Sequence, residues 1–197
     1  MNKGKIIVIE GTDKAGKGTQ SRLLMNALKL SGKICIGMDF PDYTTPIGKE
    51  IRSFLGGRRS YAIEVKHMLL SANRWEKKKD IESAKEKGTV IIMNRYYQSN
   101  LVYGVSNGLN LNWLLNLDRG LPRADVVIVL EVSPDISCRR VPTDRDTFET
   151  DQKLLAEVDK NYRKLARRFN WKLINGEKIS EEVHNEVMDI VIKILKG

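Results

Sequence analysis

The segment of residues 11–19 sets the tightest limit on the fold of this chain. It reads GTDKAGKGT and fits the spacing G-x-x-x-x-G-K, in which glycines let backbone N–H groups surround phosphate oxygens. A β-branched apolar run, residues 5–10, comes directly before it, and apolar residues at helical spacing follow over residues 19–30. The motif requires this order of strand, glycine loop and helix, so the segment predicts a phosphate-binding loop.

The residues of this loop suit the phosphates of ATP. The helix N-terminus adds a favourable potential for anions, and Lys17 supplies a mobile positive charge. A glycine-rich turn with a solvated lysine is the competing interpretation, and the flanking strand and helix disfavour it. We therefore predict that ATP is bound by Gly11, Thr12, Asp13, Lys14, Ala15, Gly16, Lys17, Gly18 and Thr19.

Four further apolar runs have the character of buried strands and alternate with helical stretches. The runs are residues 33–38, 89–93, 126–131 and 171–174. The first of these helical stretches begins at Pro46, a second covers residues 60–87, and a third leads to Gly108. Two more cover residues 110–118 and about 150–169, and the last begins at Ser180. Parallel strands need long crossover connections, so the pattern predicts an α/β fold with a five-stranded parallel sheet and helices on both faces. A polar segment, about 139–148, interrupts the alternation and is predicted to be a short lid.

Composition narrows the classes of protein to which this chain can belong. Its 197 residues show no break in composition and predict one domain over residues 1–197. The apolar runs are far shorter than the ~20 residues that span a bilayer, so we expect a cytoplasmic protein without membrane contact. The two cysteines, Cys35 and Cys138, lack the spacing of a metal site and are expected to be reduced. The formal charge of +9 suits a polyanion, either nucleic acid or a small phosphorylated ligand.

A helical segment, residues 69–76 with the sequence LLSANRWE, resembles the corresponding helix of the thymidylate kinases, a family of P-loop nucleoside monophosphate kinases. Further matches follow in the family's order, at residues 40–41, 94–96, 99–103, 120–122 and 170–171. The resemblance implies a P-loop kinase that transfers the γ-phosphate of ATP to dTMP, giving dTDP and ADP. It also implies Mg²⁺ as the cofactor, dTMP and ATP as partners, and a homodimer. No nucleic-acid-binding module is recognised, so we expect no nucleic-acid partner.

The resemblance also assigns roles in the acceptor site. Arg95 resembles the arginine that holds the acceptor phosphate. Arg74 resembles the arginine that faces the base, where a group that only donates hydrogen bonds favours the carbonyl edge of thymine. Asp13 would accept a hydrogen bond from the 3′-hydroxyl of the sugar.

Four apolar or aromatic residues complete the predicted acceptor contacts. Tyr103 resembles the residue that crowds the 2′ position of the sugar and disfavours ribonucleotides. Phe40, Leu70 and Phe148 are predicted to line the pocket or pack on the nucleotide. Ordinary core packing is the alternative for the aromatic side chains.

Catalysis is predicted to rest on positive charge, because the acceptor phosphate is already ionised near neutral pH and needs no general base. We predict as catalytic residues Lys17, Arg95, Lys14 and Arg145. In the lid, Arg139 and Arg140 are predicted to contact ATP, with a solvated basic loop as the alternative for the lid arginines.

Four positions depart from the family pattern. Gly18 stands where such loops usually have a Mg²⁺-binding Ser or Thr, so metal contact must differ or shift to Thr19. Asn94 replaces the carboxylate usually placed near magnesium-bound water, and the sequence therefore names no metal ligand. Lys14 replaces an arginine, and Leu70 replaces an aromatic residue. These departures keep open a broader nucleoside monophosphate kinase and a catalytically impaired nucleotide-binding homologue, while the charge keeps open a nucleic-acid-binding P-loop protein.

Overall fold

Five strands form one parallel sheet in the computed structural model, which describes residues 3–133, 136 and 152–196. The strands are β1 (Ile6–Gly11), β2 (Cys35–Asp39), β3 (Val90–Asn94), β4 (Val126–Glu131) and β5 (Lys172–Asn175). Their order across the sheet is β2-β3-β1-β4-β5, and every neighbouring pair is parallel. The predicted α/β fold is confirmed. The carboxyl ends of all strands lie at one edge, where sheets of this kind form their ligand sites.

Helices cover both faces of the sheet, as predicted. They are α1 (Lys17–Leu30), α2 (Pro46–Leu55), α3 (Ile63–Glu76), α4 (Lys78–Glu86), α5 (Tyr97–Ser106), α6 (Leu111–Leu117), α7 (Gln152–Phe169) and α8 (Ser180–Lys196). Alternate residues of β1 point to opposite faces, so Ile6 and Val8 join one buried cluster and Ile7 and Ile9 join another. The first cluster includes apolar side chains of α4, α5, α6 and α7, and the second includes those of α1 and α8.

Helix α2 begins at the residues that the sequence indicates. The hydroxyl of Thr45 accepts a hydrogen bond from the N–H of Gly48 at 3.0 Å, and Pro46 occupies the first helical position. The side chain of Asn110 caps α6 in a similar way. Local capping chemistry therefore sets the start of both helices.

The predicted helix over residues 60–87 is wrong, because two helices, α3 and α4, occupy this stretch and the chain turns at Lys77. The N–H of Lys77 bonds to the carbonyl oxygen of Arg74, three residues earlier, at 3.1 Å. The ammonium of Lys77 contacts the carboxylate of Asp42 at 3.0 Å. The turn directs α4 toward β3 and buries Ile81 in the first cluster. Five consecutive charged residues, 76–80, cover the turn, and such a run is also typical of an exposed helix face, so the sequence prediction continued the helix through it.

The predicted lid, about residues 139–148, lies outside the described residues, and the assignment of one domain stays a prediction. Helix α7 follows that segment in the sequence and is held to α5, where the amide of Asn161 donates to the hydroxyl of Ser106 at 3.0 Å. Across the described ranges, no helix is both long and apolar enough to cross a membrane.

A buried histidine joins α3 to α5. Nδ1 of His67 lies 2.6 Å from the side-chain oxygen of Asn100, and the amide nitrogen of Asn100 donates to the carbonyl oxygen of His67 at 3.3 Å. Both residues are buried. Burial lowers the pKa of His67 to about 4, so the imidazole is neutral at pH 7 and donates its Nδ1 proton to Asn100.

We expect the imidazole of His67 to stay neutral down to about pH 4, because protonation would place a charge in the core. The unfolded chain binds that proton near pH 6.5, so the free energy of unfolding should fall by about 3 kcal/mol as the pH drops from 6.5 to 4. NMR titration measures this directly, since the chain has 2 histidines and the other, His184, is the internal control. A midpoint near pH 6.5 for His67 would contradict the expectation.

Candidate active site

The phosphate loop runs from the end of β1 to the start of α1 across the carboxyl edge of the sheet. Gly11 has a φ of 141°, and a Cβ there would lie 2.6 Å from the carbonyl oxygen of Leu130, so only glycine fits. Gly16 has a φ of 97° directly before α1. The first N–H groups of α1 have no partners within the helix, and their positive potential favours an anion at this end.

Lys17 lies inside the loop, with 7% of its side chain exposed. Its ammonium donates to the carbonyl oxygen of Thr12 at 2.7 Å and to the carboxylate of Asp13 at 3.4 Å. Burial, followed by the positive charge of Arg95, lowers the pKa of Lys17 to about 8. A bound polyphosphate would bring negative charge to this ammonium, so the loop suits an anionic ligand.

Arg95 follows β3 with a φ of 65° and turns toward the phosphate loop. Its guanidinium donates to the carboxylate of Asp13 and, at 3.0 Å, to the hydroxyl of Ser99. It also lies over the ring of Tyr103, 5.7 Å from the centroid. Asp13 therefore contacts both Lys17 and Arg95, so predicted residues from two separate segments, the glycine loop and the end of β3, meet at one point.

The buried carboxyl group of Glu10 supports this arrangement and was not predicted from the sequence. One of its oxygens accepts from the N–H groups of Tyr96 and Ser99 at 2.9 and 3.1 Å. The other accepts from the hydroxyls of Ser99 and Tyr162 at 2.6 and 2.9 Å. Burial, followed by the charge of Glu10, raises the pKa of Tyr162 and keeps its hydroxyl a donor. Because Ser99 also contacts Arg95, Glu10 helps to place that guanidinium.

A cleft opens beside the phosphate loop, between the segment after β2 and helices α3 and α5. Its lining residues are Asp13, Phe40, Pro41, Tyr43, Leu55, Leu70, Arg74, Arg95, Tyr96, Ser99, Asn100 and Tyr103. The predicted acceptor residues among them are Asp13, Phe40, Leu70, Arg74, Arg95 and Tyr103. Phe40 is buried, and its ring centroid lies 5.5 Å from that of Tyr96. Apolar walls with a few convergent polar groups suit a ligand that has a flat base and a charged end.

Arg74 is buried in the wall of the cleft, where it pairs with Asp118. Nε and Nη2 donate to the two carboxylate oxygens at 3.0 and 2.9 Å, and the two side chains are 4% and 3% exposed. The hydroxyl of Ser71 donates to the same carboxylate at 2.8 Å. A guanidinium carries five N–H donors, so the pair with Asp118 leaves donors for a ligand in the cleft. The sequence predicted the place of Arg74 but not its partner.

Asp39 and Asn94, the last residues of β2 and β3, are the residues to compare with the predicted Mg²⁺. The amide nitrogen of Asn94 donates to Asp39 at 2.8 Å, while Oδ1 of Asn94 is buried and has no partner among the described residues. A Cβ at Gly18 would lie 4.0 Å from the Asn94 amide nitrogen, so this pair adjoins the start of α1. Mg²⁺ prefers oxygen ligands and keeps several waters, and among these atoms the exposed carboxylate of Asp39 is the group open to such a hydrated ion. The described part of the chain holds no cluster of three or more His, Cys, Asp or Glu side chains that would enclose a metal.

The roles of all the predicted site residues stay predictions. Arg139, Arg140, Arg145 and Phe148 lie outside the described residues, and their contacts with the nucleotides stay predictions. Lys14 lies in the phosphate loop with a φ of 62°. Thr19 lies in the first turn of α1 and is exposed.

The chain is similar to thymidylate kinases along nearly its whole length. The family model described as thymidylate kinase matches residues 9–187. The thymidylate kinase of Danio rerio is 34% identical over 196 residues, which cover 98% of this chain and 92% of the fish protein. The human thymidylate kinase is 31% identical over 188 residues, which cover 94% of this chain and 88% of the human protein. A solved structure of thymidylate kinase from Candida albicans, described as revealing the origin of broad substrate specificity, superposes with a TM-score of 0.88 at 27% identity and covers 97% of this chain and 92% of that one.

Proposed function

The chain belongs to the thymidylate kinase family, and on this premise we propose how its cleft carries out the reaction. It is an ATP-dependent phosphotransferase, a dTMP kinase, as the sequence predicts. The observation that carries the proposal is the meeting of Lys17, Asp13 and Arg95, which joins the phosphate loop to the cleft. A donor phosphate on the loop and an acceptor phosphate in the cleft would face each other at this point.

The phosphate loop holds ATP. Its backbone N–H groups and the N-terminus of α1 bind the phosphate oxygens, and Lys17 places its ammonium on the oxygens nearest the transferred group. The buried position of Lys17 supports this role, because a charge with little water around it interacts strongly with an anion. Lys14 in the loop and Arg139 and Arg140 in the lid segment add positive charge around ATP.

The cleft holds dTMP. Arg95 binds the acceptor phosphate, because it lies between the phosphate loop and the cleft, and Asp13 accepts a hydrogen bond from the 3′-hydroxyl. Arg74, held in place by Asp118, donates to the carbonyl edge of thymine. Tyr103 limits the space near the sugar. Phe40, Leu70 and Phe148 supply apolar contacts to the nucleotide.

The chemical step is an in-line transfer that needs no general base. An ionised oxygen of the dTMP phosphate attacks the γ-phosphorus of ATP, a new P–O bond forms, and the bond to the β-phosphate oxygen breaks as ADP leaves. Lys17 and Arg95 neutralise the charge on the donor and acceptor oxygens, and Lys14 and Arg145 assist in the transition state. Mg²⁺ bound with ATP supplies further neutralisation of the donor phosphates. Among the two strand-end residues Asp39 and Asn94, the exposed carboxylate of Asp39 would be open to its water shell, while Asn94 orients that carboxylate.

The proposed enzyme is a cytoplasmic homodimer. The family resemblance suggests the dimer, and α3 carries exposed apolar side chains on one face, Val65 and Met68, which are 37% and 46% exposed. The free thiol of Cys35 agrees with a reducing compartment. Sedimentation of the purified protein tests the dimer, and a charged substitution such as Met68→Glu should yield monomers.

ADP formation with ATP, Mg²⁺ and a panel of nucleoside monophosphates tests the proposed function. We expect turnover that prefers dTMP and that is lost in Lys17→Ala and Arg95→Ala. Binding of ATP and dTMP without turnover would instead favour the catalytically impaired homologue. Turnover of several acceptors at similar rates would favour the broader nucleoside monophosphate kinase.

Leu70 favours a tolerant acceptor site, because an aliphatic side chain lining the cleft does not stack on the base. We expect Leu70→Phe to lower the KM for dTMP by about 3-fold to 10-fold, since aromatic pairs contribute ~0.5–1.5 kcal/mol beyond area burial. Leu70→Met is the matched control, because it keeps the apolar volume without a ring. Equal KM values in both variants would show that the base does not contact this position.

A further inference from the structure

Glu10 is fully buried near the end of β1, and four donors surround its carboxyl group. One oxygen faces the backbone N–H groups of Tyr96 and Ser99, and the other faces the hydroxyls of Ser99 and Tyr162. The Tyr162 hydroxyl also lies 3.3 Å from the carbonyl oxygen of Gly11, which is a longer contact. Backbone N–H groups only donate, whereas hydroxyls donate or accept. The direction of the two hydroxyl hydrogen bonds is therefore set by the carboxylate, which accepts at both oxygens.

The hydroxyl of Ser99 links this carboxylate to Arg95. Its single proton is donated to Glu10 at 2.6 Å, so the serine oxygen presents lone pairs to Nη1 of Arg95 at 3.0 Å. The same Nη1 donates to the carbonyl oxygen of Gly11 at 3.3 Å, and Nη2 donates to Asp13. In the proposed complex the carboxylate of Asp13 accepts from the sugar. The contacts with Ser99 and Gly11 then remain to hold the guanidinium in place.

We propose that Glu10 is a positioning residue for dTMP binding, because its carboxylate keeps the Ser99 proton turned away from Arg95. With the proton pointed at Arg95, two donors would face each other and the serine would no longer hold the guanidinium. The buried carboxylate prevents that rotation of the hydroxyl. A purely structural role, in which Glu10 only joins β1 to α5 and α7, is the alternative. The inference rests on the proposed function, in which Arg95 binds the phosphate of dTMP.

Glu10→Gln tests the direction of these hydrogen bonds while keeping the size of the side chain. The amide oxygen must face the two backbone N–H groups, so the amide nitrogen faces the hydroxyls and donates to Ser99. The Ser99 proton is then left to point at Arg95. The dissociation constant for dTMP, measured by calorimetry without ATP, should rise about 3-fold to 10-fold. Glu50→Gln is the matched control, because Glu50 accepts from the hydroxyl of Tyr61 at 2.7 Å outside the cleft, and it should bind dTMP as the wild type does.

Ser99→Ala removes the linking hydroxyl and tests the inference even if Glu10→Gln does not fold. It should weaken dTMP binding by a similar factor. The double variant should bind dTMP no more weakly than Ser99→Ala, because Glu10 acts through that hydroxyl. The dissociation constant for ATP should stay that of the wild type in both single variants.

The outcomes separate this inference from the proposed function. Wild-type dTMP affinity in Ser99→Ala, or additive losses in the double variant, would overturn the inference and leave the kinase function in place. Weaker binding of ATP together with dTMP would also overturn it, because a general disturbance of the site would then be the cause. A wild-type protein that does not bind dTMP would overturn both the inference and the proposed function.

Discussion

Replacing Lys17 with methionine is expected to lower kcat for dTMP by about 10³-fold, because a buried charge aimed at the transferring phosphate is among the largest single contributions to such reactions. Methionine keeps an unbranched apolar stem close to the length of lysine's and removes the ammonium, with its charge and its N–H donors. Affinity for dTMP, measured by calorimetry, should stay close to that of the wild type, because Arg95 and Arg74 hold the acceptor. Unchanged kcat in this variant would remove Lys17 from the mechanism.

The same substitution should stabilise the protein in the absence of nucleotide. Burial lowers the pKa of Lys17 from 10.5 to about 8, so the folded state disfavours the charged form. The unfolded chain binds more protons between pH 8 and 10.5, and wild-type stability therefore rises with pH in this window and lacks that contribution below pH 8. At pH 7 Lys17→Met should gain about 1–3 kcal/mol, less any loss of its bonds to Thr12 and Asp13. Urea unfolding at pH 7 and pH 10, with exposed Lys33→Met as control, measures this difference.

The strands illustrate how far local sequence specifies this fold. Neighbouring residues of β1 point to opposite faces of the sheet, and both faces are covered by helices. The fold therefore requires a continuous run of apolar β-branched residues, and this run is visible in the sequence. The observed ends of β1 and β3 lie one residue later than predicted, at Gly11 and Asn94, because ladder hydrogen bonds continue past the last apolar side chain. The turn at Lys77 depends on Asp42, which is distant in sequence, and local spacing could not show it.

The candidate site likewise contains residues that local sequence indicates and residues that only the folded chain brings together. Two of the predicted residues, Asp13 and Lys17, stand in the glycine motif, and Arg95 follows a strand. Their residue types and positions indicated a phosphate site. Glu10 was missed although its position, a charged residue ending an apolar strand, was a usable signal. Its partner Tyr162 lies 152 residues away and carries no pattern of its own. Contacts between residues this far apart in the sequence form only when the folded chain brings β1 and α7 together.

Asp118 is the position whose loss should destabilise the protein most. Asp118→Ala leaves the guanidinium of Arg74 buried without its carboxylate, and removing one partner of such a pair costs about 3–5 kcal/mol. Ser71 loses its carboxylate acceptor at the same time. We therefore expect the free energy of unfolding, measured with urea, to fall by that amount. Binding of dTMP should also weaken, because Arg74 is no longer held toward the cleft.

A double variant, Arg74→Met with Asp118→Leu, separates the structural role of the pair from its role in binding. Two apolar side chains of similar volume replace the ion pair, and such replacements are often neutral or stabilising, so stability should return to near the wild-type value. Binding of dTMP should stay weak, because the donors that face the carbonyl edge of thymine are gone. If the double variant regained dTMP affinity along with stability, Arg74 would serve only to pair with Asp118, and base recognition would belong to another part of the cleft.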